Sequence, residues 1–158
     1  MSLGGIIPDK VISFIAGIGI TVEPRKIEEK TFLPGFRIRG ATLTVDPGVE
    51  GFQPGDVLHE SAHIALCDPE KRPTLAPKDL LVPAQEIACH AWCWAALNHL
   101  ELDPKWVFHN DYKAGGDWLI DVLSSGQLMG QPLLQYWGLT GRDGVEWPGM
   151  ISWVREEQ

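Results

Sequence analysis

Two histidines stand four residues apart in the stretch Asp56-Val57-Leu58-His59-Glu60-Ser61-Ala62-His63-Ile64-Ala65-Leu66, with a glutamate directly after the first. This spacing constrains the fold more than any other feature of the chain. On a helix, residues four apart lie one above the other, so both imidazoles reach a single point. Val57, Ile64 and either Ala65 or Leu66 can face a core, and Pro54-Gly55 precedes the stretch as a start signal.

Two neutral imidazoles suit Zn²⁺, which takes one or two further ligands and leaves a position open for water. Glu60 lies beside the first histidine, where it can accept a proton from that water. The third ligand is expected from a second helix facing the first. The strongest helical pattern runs over 83–100, opens on Pro83, and carries Ile87, Ala91, Trp94, Ala95 and Leu97 towards a core. On one of its faces Glu86, Cys89, His90 and Cys93 stand at i, i+3, i+4 and i+7. A buried glutamate is rare without a compensating charge, which a metal supplies. Glu86 also favours the positive end of the helix by its position alone. Cys89 and Cys93 read equally well as small core residues. His90 fits a ligand, a group behind a ligand, or a surface histidine. The candidates for third ligand are, in order, Glu86, His90 and Asp68.

At 158 residues, with 44% hydrophobic and 22% charged content, the chain suits one globular domain over 1–158. Its core is expected over about 7–100, with 103–158 as a helical C-terminal extension of the same domain. A net charge of −8 argues against a nucleic-acid-binding surface and leaves a protein partner open. The apolar run over 11–20 is too short to span a bilayer and lacks the flanks of a signal peptide. Three cysteines, an odd count, do not form a disulfide framework, and a cytoplasmic location is expected.

Periodicity predicts a helix over 9–16, a strand over 20–23, and a hairpin whose strands cover 36–39 and 43–45 and turn near Gly40. Residues 67–82, with Pro69, Pro73 and Pro77, read as an irregular connection lying along a cleft. Short helices are expected over 103–108, 118–123 and 131–137. These patterns predict an α+β fold, mainly helical, with a small antiparallel sheet and the motif helix facing the long helix.

The chain resembles the ImmA/IrrE zinc metallopeptidase family. The likeness runs in order from the opening helix ending in Gly17-Ile18-Gly19-Ile20-Thr21-Val22, through a strand pair, to Gly55-Asp56-Val57-Leu58-His59-Glu60-Ser61-Ala62-His63. It ends with Glu86-Ile87-Ala88-Cys89-His90-Ala91-Trp92-Cys93-Trp94-Ala95-Ala96-Leu97, against a family pattern E-x-x-A-N-x-F-A-x-x-L-L. Here Cys89 stands for the first Ala, His90 for Asn, Trp92 for Phe and Cys93 for the second Ala. The resemblance covers about residues 7–100 and implies a zincin-like fold. It implies a zinc peptidase with His59, His63 and Glu86 as ligands and Glu60 as base. Its implied substrate is a protein or peptide, notably a repressor-type regulator.

Metal-assisted amide hydrolysis also needs a donor for the oxyanion. His90, His109, Tyr112 and Tyr136 are the candidates, either for that donor or as groups behind the metal ligands. The strand region over 37–45 is a further candidate, as an edge for an extended peptide. Trp92 and Trp94 read as core, while some later tryptophans suit a partner surface. The competing reading is a catalytically inactive zincin-like module that docks a regulatory protein.

Overall fold

A computed structural model of the chain describes residues 3–112 and 115–157. Helix α1 (Asp9–Gly17) buries Val11 and Ile15. It stops where Gly19 adopts φ +93°, a left-handed conformation that glycine enters without steric penalty. Ile20 N–H then donates to Ile15 O and Gly19 N–H to Ala16 O, which closes the helix in a Schellman motif.

Three strands follow, β1 (Thr21–Pro24), β2 (Phe36–Arg39) and β3 (Thr42–Val45). The order is β1-β3-β2. The β2–β3 hairpin is antiparallel and turns at Gly40, as expected. The sheet as a whole is mixed, because β1 pairs parallel to β3. That corrects the expectation of an antiparallel sheet: the long connection over 25–35 returns the chain so that β3 runs beside β1 in the same direction. Fold class is α+β, with five α-helices among the described residues.

Helix α2 (Asp56–Leu66) carries the histidine pair, and every one of its eleven residues is buried. It packs chiefly on α3 (Pro83–His99) and also meets β2 and β3. Small residues on the buried side of α3, among them Ala88, Cys89, Cys93 and Ala96, suit a close approach of the two helices. At the start of α2, Gly55 lies so near the chain crossing over it that a Cβ would sit 1.7 Å from Trp106 O.

The far end of α2 is held by arginines. Arg72 Nε donates to Ile64 O at 2.9 Å and its Nη2 to Ala65 O at 3.0 Å. Arg155 reaches the same end through its backbone N–H to Ala65 O and through Nη1 to Leu66 O. These donors satisfy carbonyls that the helix itself leaves open, and their charge suits the negative helix end. Between α2 and α3 the chain is irregular, with 3-10 turns at Arg72–Thr74 and Pro77–Leu80.

After a 3-10 turn at Pro104–Trp106 come α4 (Gly116–Ser124) and α5 (Gln131–Tyr136). The C-terminal segment folds back over α1 and α3. Trp92 Nε1 donates to Trp153 O at 2.9 Å, and Trp147 Nε1 donates to Ala91 O at 3.0 Å. Trp153 meets Phe14 edge to face, and Arg155 stacks over Trp137. Trp92 is fully buried, as expected, whereas Trp94 is half-buried and Trp118 is exposed. No helix among the described residues is long and apolar enough to cross a membrane.

Gly55→Ala should destabilise the protein by about 1–3 kcal/mol, the usual effect of forcing atoms into a packed contact. Urea denaturation reads this, and an unchanged midpoint would contradict the close crossing of Trp106 over α2.

Candidate metal centre

Burial of α2 leaves its polar side chains little access to water, so they depend on partners within the protein. Asp56 accepts from or pairs with His109 Nε2 at 2.8 Å. Ser61 Oγ donates back to Val57 O. His59 and His63 turn towards α3, where Glu86 stands in the first turn. Glu86 Oε1 lies 3.2 Å from His59 Nε2, and Glu86 Oε2 lies 2.8 Å from His63 Nε2. The two Nε2 atoms are themselves 3.2 Å apart.

Glu60 completes the cluster. One of its carboxylate oxygens and a ring nitrogen from each of His59 and His63 lie within 4.8 Å of one another, and this buried group could hold a metal ion. Two carboxylates therefore compete for the third place. Glu86 sets one oxygen against each Nε2 at hydrogen-bond range. Glu60 follows His59 directly in sequence and lines the adjoining cleft. Glu86 thus stands within hydrogen-bond range of both imidazoles, and Glu60 stands beside them.

The donor set fits a divalent ion. Two neutral Nε2 lone pairs facing each other need a cation or a proton between them. Ligands about 2.0–2.1 Å from a tetrahedral ion lie roughly 3.3 Å from each other. The 2.8–3.2 Å separations here are close to that edge. Burial works to raise the pKa of Glu86, but hydrogen bonds from both histidines, and the charge the rings carry when protonated, outweigh it. Its carboxyl is held far below the usual range, and it stays an anion.

Tyr112 sets the orientation of His59. Its Oη lies 2.6 Å from His59 Nδ1 and 2.8 Å from His90 Nδ1. Burial pushes the Tyr112 pKa well up, so the phenol keeps its proton. One hydroxyl proton cannot serve both rings. The arrangement that frees His59 Nε2 for a metal has His59 donating Nδ1–H to Tyr112, and Tyr112 donating to His90. Such partners fix the tautomer and aim of a metal-binding imidazole. His63 Nδ1 has no hydrogen-bond partner among the described residues.

The expected site residues thus separate. His59, Glu60, His63 and Glu86 come together. His90 and Tyr112 stand behind His59, hydrogen-bonded to each other, which is one of the two positions expected for them. His109 is taken up by Asp56 at the opening of α2, so it too is displaced from the cleft. Tyr136 is 76% exposed and borders a separate depression with Asp68 and Arg155. That placement excludes both Tyr136 and Asp68 from this cluster.

The cluster opens onto a cavity of about 500 Å³ lined by Glu60, His63 and Glu86 and by Phe32, Pro77, Lys78, Leu80, Leu81, Val82 and Pro83. A volume of this order suits a bound ligand. The irregular connection does border a cleft, as expected. Lys78, however, is a cation beside the site that the sequence pattern did not single out. Its only signal was its place in that proline-rich segment. The outer side of β2 is partly covered, since Gly40 N–H donates to Leu75 O and the Pro77–Leu80 turn packs nearby.

Comparison with family models, curated proteins and solved structures finds no match for the chain.

Tyr112→Phe should leave the fold intact and lower affinity for a divalent transition-metal ion by about tenfold or more. Competition against a chromophoric chelator measures this. Unaltered affinity would show that Tyr112 does not position His59.

Proposed function

We propose that the chain is a zinc-dependent peptidase of the ImmA/IrrE type, hydrolysing a peptide bond in a regulatory, repressor-type protein in the cytoplasm. The observation that carries the reading is the convergence of His59, His63 and Glu86 with Glu60 alongside, at the wall of an apolar cleft. Imidazole and carboxylate donors in this number suit zinc. His59, His63 and Glu86 would hold the ion. When bound, zinc acidifies a water and polarises the carbonyl of the scissile bond.

The chain's own residues supply the rest. Glu60 takes the proton from the attacking water and passes it to the leaving amine, as general base and then general acid. It faces the cleft while remaining 5% exposed, so bulk water does not compete freely for its carboxylate. Tyr112 and His90 hold His59 in the required tautomer. The apolar walls, from Phe32 to Val82, exclude water from the peptide.

Glu60→Gln should retain zinc and lose about 10²–10⁴-fold in cleavage of a protein substrate. Equal cleavage by both proteins would remove Glu60 as the base. Zinc binding without any hydrolysis, across regulator substrates, would favour a docking module instead.

Glu86→Ala should weaken zinc binding far more than His90→Ala, by calorimetry or metal content after dialysis. The reverse ranking would reassign the third ligand. A native protein that takes up no stoichiometric zinc when it is supplied would end the proposal.

A further inference from the structure

The cleft has a second compartment of about 240 Å³, whose walls include Phe32, Glu60, Pro77 and Leu80 in common with the first. The two differ in chemistry. The first is walled mainly by apolar side chains, of which Phe32 and Leu81 are 73% and 75% exposed. The second runs along β2 and brings Lys30, Arg37 and Arg39 together. Arg37 is already committed, because its Nη1 donates to Glu29 at 2.6 Å. Glu29 and Glu60 also line the compartment, and the charge of Arg39 acts on Glu29, but Lys30 and Arg39 are exposed, form no direct ion pair among the described residues, and leave three cations against two carboxylates. In a chain of net charge −8, this is a local reversal of sign beside the site. Such a patch attracts acidic groups and repels basic ones.

We propose that the cleft selects extended peptides that seat an apolar side chain in the first compartment and an acidic side chain against Lys30 and Arg39 in the second. The inference rests on the peptidase reading, since it assigns the substrate chemistry of that same site. Phe32 and Leu80, shared by both compartments, make one peptide continuous across them. The apolar residue gains from leaving water, and the carboxylate fixes which way the peptide lies. A lysine or arginine at the acidic position meets like charge.

The test uses a synthetic peptide library with one fixed leucine and randomised flanks. It is passed over immobilised, zinc-loaded Glu60→Gln protein at low salt. Retained peptides should carry Asp or Glu about threefold above the input on one side of the leucine, in line with exposed ion pairs. Higher salt should erase the preference. Lys30→Glu with Arg39→Glu should invert it towards Lys and Arg, and the corresponding Gln pair should abolish it without inversion. Both positions are exposed, so the variants should unfold at the native temperature. No retention, retention without acidic enrichment, or enrichment untouched by the charge reversal would overturn the proposal.

Native protein then digests the same library. Selective retention by Glu60→Gln protein without cleavage by native protein supports the charged compartment and removes the peptidase reading. Cleavage with no acidic preference does the opposite.

Discussion

Burial of α2 on every side is the constraint from which the rest of the structure follows. A helix exposed along one face could leave His59, Glu60 and His63 to water. Here Glu86 meets both imidazoles, Tyr112 meets His59 and His109 meets Asp56, while Glu60 and His63 border the cleft. Leaving any of these polar groups unpartnered would cost on the order of 1–3 kcal/mol, and more for a charge. Polar satisfaction and site construction are therefore one requirement. The same contacts that make the core tolerable aim two imidazoles and a carboxylate at one point.

Much of this is legible in the sequence because helical spacing is a strong local signal. His59 and His63 are four apart, and Glu86 falls within the first turn of a helix opened by Pro83. The hairpin around Gly40 is equally local. The parallel pairing of β1 with β3 is not, because its register is set by a connection with no periodicity of its own. The four tyrosine and histidine candidates for a place near the metal ligands end up in different positions for the same reason. Which of them reaches the cleft depends on packing over 53 residues in the case of Tyr112 and His59, and no spacing rule spans that distance. Tyr112 is hydrogen-bonded to His59, whereas Tyr136 stands on another surface.

The position of Glu86 also resolves two readings that looked exclusive. A carboxylate in a first helical turn is favoured by the helix end, and a carboxylate facing two histidines is favoured by them. In this fold both apply to the same side chain. Its anionic state is supported twice, once by the backbone of α3 and once by α2.

The arginine anchors at the far end of α2 have a consequence in time. Arg155 closes carbonyls that lie 89 or 90 residues earlier, and it does so together with Arg72. During synthesis, the histidines leave the ribosome long before the residue that secures their helix. Arg72 can close Ile64 O and Ala65 O soon after the helix emerges, whereas the contacts to Ala65 O and Leu66 O from Arg155 wait for a segment almost ninety residues further on.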